Sequence, residues 1–199
     1  PDVNRPDFRN ISFAELKDAY KEQVQGLLDG NVDLLLIETV FDTLNCKAAL
    51  LAVSDVFEER KVQIPVSVSA TITDASGRTL SGQTIEAFWY SIRHFPLFSI
   101  GINCALGAKE MYPYLKILSS LSDCYVHAYP NAGLPNELGE YDQDALSMRE
   151  QIESFVQEGF VNLLGGCCGT TPAHIAEISK ICQHAEVRKP AKDIPALRL

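Results

Sequence analysis

The sequence predicts an α/β fold organised on a parallel sheet, and three of its features carry that prediction. Apolar runs of strand length alternate with segments of helical period, five times over. The runs are close to continuously apolar, as strands covered on both faces are. The notable polar residues fall just past the ends of these runs, where parallel α/β folds place their ligand sites. An open doubly wound sheet and a (β/α) barrel both satisfy the pattern. Five strands are too few for the usual eight-stranded barrel, so a barrel would be present only in part. The expected order opens with a loop and a helix and has no strand before them, which favours truncation at the N-terminus.

Each element has a local cause. Residues 1–11 carry Pro1, Asn4, Pro6 and Asn10 and predict a loop. Ser12-Phe13-Ala14-Glu15 is a capping box, and Phe13, Leu16, Tyr20, Val24, Leu27 and Leu28 continue at helical spacing to a stop at Gly30. Asp33–Ile37 is a short buried strand ending at Glu38, followed by a helix over about Thr43–Arg60. Pro65–Ala70 is the next strand; it leads into the polar loop Thr71–Arg78, whose Thr73–Arg78 part caps a helix over roughly 83–94 or binds a ligand, the former being favoured. Phe98–Ile102 runs into Asn103-Cys104-Ala105-Leu106-Gly107, and a further helix reaches about Leu121, with Pro113 disturbing its start. Cys124–Tyr129 opens into Pro130–Asn136, and Ser147-Met148-Arg149-Glu150 forms a second capping box for a helix that stops at Gly159. Val161–Leu164 is the last strand. Its helix, about 172–184, has Thr171 as N-cap and Pro172 at the first position. Residues 1–185 form one domain on this reading, and 186–199, bearing Pro and Lys, an interdomain linker.

Composition excludes several classes. The chain is 46% hydrophobic and 22% charged over 199 residues, enough for one globular domain with a sizeable core. A net charge of −9 provides no basic footprint for nucleic acid or anionic membrane. No apolar run approaches a bilayer span and no signal peptide is evident, so the expected setting is cytoplasmic.

The six cysteines divide by context. Cys46, Cys124 and Cys182 lie within apolar periodic segments, where a free cysteine acts as a small hydrophobe. Cys104, Cys167 and Cys168 lie in Gly- and Asn-bearing junctions after strands, and junction cysteines in a reducing compartment point to metal or catalysis. Gly165, Gly166 and Gly169 permit the sharp turn that two adjacent thiols need to face one centre. Parallel strand ends share one edge, so Cys104 can meet the distant pair. Three soft thiolates suit zinc and leave a fourth position open, as catalytic zinc sites do. A thiolate-rich zinc ion is a weak Lewis acid, poorly suited to making hydroxide, but it deprotonates a bound thiol and leaves it nucleophilic. Alkyl transfer to sulfur fits this ligand set better than hydrolysis. Glu38 can pair with a substrate ammonium or be a solvated loop acid; Asn103 and Asn131 can hydrogen-bond substrate or serve turns. His174 is a helix-surface residue or a further site group.

With these residues placed, Gly101–Gly107 and Gly165–Pro172 resemble the zinc signatures of the homocysteine S-methyltransferase family. Ile37–Thr43, Thr71–Gln83 and Tyr129–Asn136 are similar to its cobalamin-dependent branch. The resemblance covers nearly the whole chain. It implies a (β/α)8, TIM-type barrel of which only the last five strand–helix units are present, with Cys104, Cys167 and Cys168 as zinc ligands. Homocysteine would bind through its thiolate, Glu38 would hold its amino group, and Asn103 and Asn131 would contact it. The methyl donor would be methylcobalamin, recharged by methyltetrahydrofolate. The folate, cobalamin and reactivation domains would follow beyond Leu199, so this chain alone would neither bind cobalamin nor turn over. Loops binding the substrate carboxylate would precede Pro1. Betaine- or S-methylmethionine-dependent relatives would share the three cysteines, and a non-catalytic zinc or redox thiol protein would need no Glu38.

Overall fold

The computed structural model of the chain describes residues 8–73 and 76–192. Its elements run α1 (Phe13–Asp29), β1 (Leu35–Val40), α2 (Thr43–Arg60), β2 (Val66–Ala70), α3 (Ile85–Ile92), β3 (Ser99–Gly107), α4 (Ala108–Leu121), β4 (Tyr125–Asn131), α5 (Ala145–Gln157), β5 (Leu163–Leu164) and α6 (Pro172–Cys182). The five strands form one sheet in the order β1-β2-β3-β4-β5, every pair parallel. A doubly wound sheet reverses its strand order at a switch point. This sheet has no reversal, so its winding is the one compatible with part of a TIM-type barrel.

The two faces of the sheet differ chemically. Val66, Val68, Ala70, Ile100, Ile102, Val126 and Ala128 alternate along β2–β4 and join Leu50, Val53, Phe88, Trp89, Ile92, Met111 and Leu115 of the helices in the core. The opposite face carries Ser67, Ser69, Ser99, Gly101, His127 and Tyr129. There the Ser67 and Ser99 hydroxyls lie 2.6 Å apart, and Ser99 Oγ is 2.9 Å from His127 Nδ1. The imidazole stacks on Tyr129 and lies across β3 at Gly101, where an added Cβ would sit 2.1 Å from its Cδ2. Only glycine leaves that space. Strands expected to be apolar throughout are thus two-faced, and the sequence Val66-Ser67-Val68-Ser69-Ala70 already alternates.

Local signals set most boundaries. Ser12 and Glu15 cap α1 reciprocally, and Asp42 caps α2 by accepting from Leu44 N–H at 3.0 Å. Helix α2 is buried on more than one side because α1 packs against it. Tyr20 donates to Asn45 at 2.6 Å and Lys17 to Asp55 at 2.7 Å across that contact. Helix α5 begins earlier than the second capping box predicts. Asp144 accepts from both Leu146 and Ser147 N–H, and an ionised side-chain acceptor placed earlier pre-empts the Ser147 hydroxyl. Helix α4 continues through Pro113; the proline costs the helix its bond to the carbonyl of Lys109, and both residues are exposed. Strand β3 extends past Ile102 because Gly107 pairs with Asn131 beyond a register shift. Cys46 is fully buried as expected, whereas Cys182, on the last residue of α6, is exposed.

The chain after α6 crosses the floor of the sheet. Arg188 is buried there and donates to Ser119 Oγ, Ser119 O, Ser122 O, Ser122 Oγ, Cys124 O and Asn162 Oδ1. Burial lowers its pKa, and no carboxylate is among these acceptors. The carbonyls of Ser119 and Ser122 close α4, so the negative end of the helix dipole meets the cation. Residues 193–199 of the expected linker lie outside the described residues. No helix among the described residues is long and apolar enough to cross a membrane.

Burial lowers the pKa of His127 to about 3, so the folded protein holds it neutral. An unfolded chain protonates the same ring near the ordinary histidine value of about 6.5. Protons therefore favour the unfolded state between those values, and stability falls as pH drops below about 6.5. At pH 5 this one group is expected to cost about 2 kcal/mol, from roughly 1.4 kcal/mol per pH unit. Urea unfolding at pH 7 and pH 5 measures it, and the corresponding part of the pH slope should be absent in His127→Gln.

Candidate metal centre

Cys104 stands at the irregular end of β3, and its position follows from the backbone. Cys104 and Ala105 both adopt left-handed conformations, with φ of 63° and 59°, inside the register shift that follows Asn103. Two consecutive non-glycine residues in that region are strained, and such strain is tolerated where surrounding bonds over-determine it. Cys167 and Cys168 come from beyond β5, laid over the end of β4. Cys167 N–H donates to Pro130 O at 2.8 Å, Ala132 N–H to Cys168 O at 2.9 Å, and Cys168 N–H to Asn131 Oδ1 at 3.1 Å. The Thr170 hydroxyl closes the turn on Cys167 O at 2.7 Å. Of the three glycines expected to shape this turn, Gly169 supplies the left-handed residue, at φ 78°, and a Cβ there would strike Tyr141. Gly165 serves differently, by leaving room for the Tyr129 ring.

These two junctions bring three sulfurs together. The Sγ atoms of Cys104, Cys167 and Cys168 all lie within 4.8 Å of one another. Cys104 Sγ is 3.6 Å from Cys168 Sγ, and Cys167 Sγ is 3.9 Å from Cys168 Sγ. A tetrahedron with metal–sulfur bonds of about 2.3 Å has edges of about 3.8 Å, and the two edges meeting at Cys168 are close to that length. Among the described residues this is the one such group of metal-capable side chains. Burial, and after it the Cys104 sulfur, push the Cys167 thiol up to about 11. Without a cation Cys167 therefore keeps its proton at neutral pH; a divalent soft metal is what allows three close thiolates.

The other sequence-predicted residues surround this face in distinct ways. Asn103 is fully buried: its Oδ1 accepts from Thr39 N–H at 2.9 Å, and its Nδ2 reaches Thr39 Oγ1 at 2.9 Å and Cys167 Sγ at 3.9 Å. Asn131, also buried, holds Cys168 N–H and sends Nδ2 to the Tyr141 hydroxyl at 3.4 Å. Glu38 is exposed, on the polar face of β1, and its charge is felt by Tyr129, whose pKa rises first through burial and then through Glu38. His174 is buried away from the sulfurs. Its Nε2 lies 2.8 Å from Gln143 O while Nδ1 accepts from Thr171 N–H, so it ties α6 to the loop before α5.

Three residues at the site escaped sequence reasoning. Tyr129 shares a strand face with Asn131 and could have been found from the two-residue period. Thr39 turns the chain after Glu38 with φ 56°, which no composition signal marks. Tyr141 sits in an aperiodic loop; burial, then its contact with Cys168, then the charges of the three cysteines raise its pKa.

The chain matches the family model described as homocysteine S-methyltransferase over residues 2–182. That span includes all three cysteines, Glu38, Asn103 and Asn131.

If the three sulfurs hold one ion, Cys104→Ser and Cys168→Ser should each reduce bound zinc from about one equivalent to well below half, because structural thiolate affinity collapses when a ligand is lost. Elemental analysis after dialysis measures this. Cys46→Ser, remote from the cluster, should retain full metal.

Proposed function

The chain belongs to the homocysteine S-methyltransferase family, and on that premise we propose that it is the zinc-dependent, homocysteine-binding and thiol-activating part of a cobalamin-dependent methionine synthase. The observation that carries the reading is the sulfur triangle at the strand ends, whose edges suit zinc and whose ligand count leaves one tetrahedral position for a substrate thiol. Zinc in that donor set supplies the positive charge that keeps a substrate sulfur deprotonated while remaining too weak a Lewis acid to make hydroxide.

The chain's own residues do the rest. Cys104, Cys167 and Cys168 deliver the donor atoms, held by the left-handed turn of β3 and the loop over β4. Glu38 accepts hydrogen bonds from the substrate ammonium at the exposed end of β1, close enough to Tyr129 for its charge to be felt there. Asn103 and Asn131, expected from sequence to contact substrate, also hold the frame of the site through hydrogen bonds to Thr39, Cys167, Cys168 and Tyr141. Methyl transfer then requires a sulfur lone pair with no proton on it, in line with the incoming carbon.

Thr71–Gln83 and Tyr129–Asn136 support the cobalamin-dependent branch, with methylcobalamin as donor and 5-methyltetrahydrofolate recharging it, both on domains outside this chain. Residues 1–185 would be part of the homocysteine-binding barrel and 186–199 the start of the connection to those domains.

Zinc X-ray absorption with and without homocysteine tests the reading. Three sulfur neighbours and one lighter atom are expected at rest, and four sulfurs after homocysteine is added; an unchanged shell would refute thiol activation. Glu38→Gln should weaken homocysteine binding about tenfold or more by removing a charged partner, while zinc content stays intact.

A further inference from the structure

We propose that Asn103 is the positioning residue that sets the separation between the metal-held thiol and the ammonium-binding carboxylate, and so measures the length of the amino-acid thiol. The proposal rests on the thiol-binding reading above and adds a residue role to it.

The carboxamide of Asn103 joins two parts of the site that come from different strands. On one side it grips Thr39, the residue directly after Glu38, through both N–H and hydroxyl at 2.9 Å each. On the other it reaches the sulfur of Cys167 at 3.9 Å. Thr39 N–H must donate, so Oδ1 faces it and the NH2 group is directed to the hydroxyl and the sulfur. The residue is 0% exposed, and its own carbonyl is held by the Thr71 hydroxyl at 3.0 Å. Its backbone is thereby fixed, and so is the reach of its side chain.

What it grips is not self-supporting. Thr39 is a β-branched residue at φ 56°, in the register shift that interrupts β1. A β-branched side chain in the left-handed region is an outlier that persists only when outside bonds hold it. Release of Thr39 would let the chain around Glu38 relax toward regular strand and carry the carboxylate away from the sulfurs. Homocysteine has one methylene more than cysteine between its sulfur and the carbon bearing the amine. A fixed distance between sulfur position and carboxylate therefore discriminates the two, and a relaxed one does not.

The test compares homocysteine, cysteine and 4-mercaptobutanoate, which is homocysteine without its amine, binding to the zinc-loaded protein by calorimetry. Asn103→Leu, similar in volume and lacking polar groups, should keep its zinc, bind homocysteine about tenfold more weakly and bind 4-mercaptobutanoate as the parent does. Its preference for homocysteine over cysteine should shrink by the same factor. Thr39→Ala, at an exposed position, removes one of the contacts and should shift the preference in the same direction by less; if Asn103→Leu fails to fold, this variant decides alone. Equal weakening toward all three thiols, loss of zinc, or an unchanged preference would overturn the proposal. A parent protein that takes up none of the three thiols would instead overturn the thiol-binding reading itself.

Discussion

Three thiol sulfurs held within a few ångströms cannot all ionise unless a cation sits among them, and the upper edge of this sheet is arranged around that constraint. The left-handed turn at Cys104, the glycine at 169 and the loop folded over β4 have no separate rationale as strand endings. Each departs from the regular backbone its neighbours follow. Together they bring three sulfurs within 4.8 Å of one another, a cluster that could hold a metal ion.

The strain is offset by hydrogen bonds drawn from adjacent strands. Asn103 holds the irregular end of β1, Thr71 holds Asn103, and Asn131 holds the amide of Cys168. Parallel strands make this possible because their ends lie side by side, so a polar residue closing one strand can serve the next. The same sheet has a polar face lower down, where Ser67, Ser99 and His127 hydrogen-bond in a row. Burial keeps that histidine neutral, and its stacking on Tyr129 links the row to the site above it.

Much of this was legible from local patterns. Capping residues and helical period located α1 and α2 almost to the residue, because those signals act within one turn of chain. The Ser147 box misled for a physical reason: Asp144, with a stronger acceptor, lies one turn earlier. The three cysteines were identifiable from their junction context and soft-donor chemistry, and their convergence followed from the geometry of parallel sheets. Tyr129, Thr39 and Tyr141 were not found, since their relevance depends on neighbours distant in the chain.

The sequence by itself determined the alternation of strands and helices and singled out the three junction cysteines whose sulfurs converge, because period, propensity and ligand chemistry belong to residues taken in order. The tertiary structure alone decided the strand order without reversal, the left-handed turns at Thr39 and Cys104, and the hydrogen bonds by which Asn103 and Asn131 brace neighbouring strands. Those depend on which side chains from separate strands meet, and backbone strain becomes stable only after its partners have arrived.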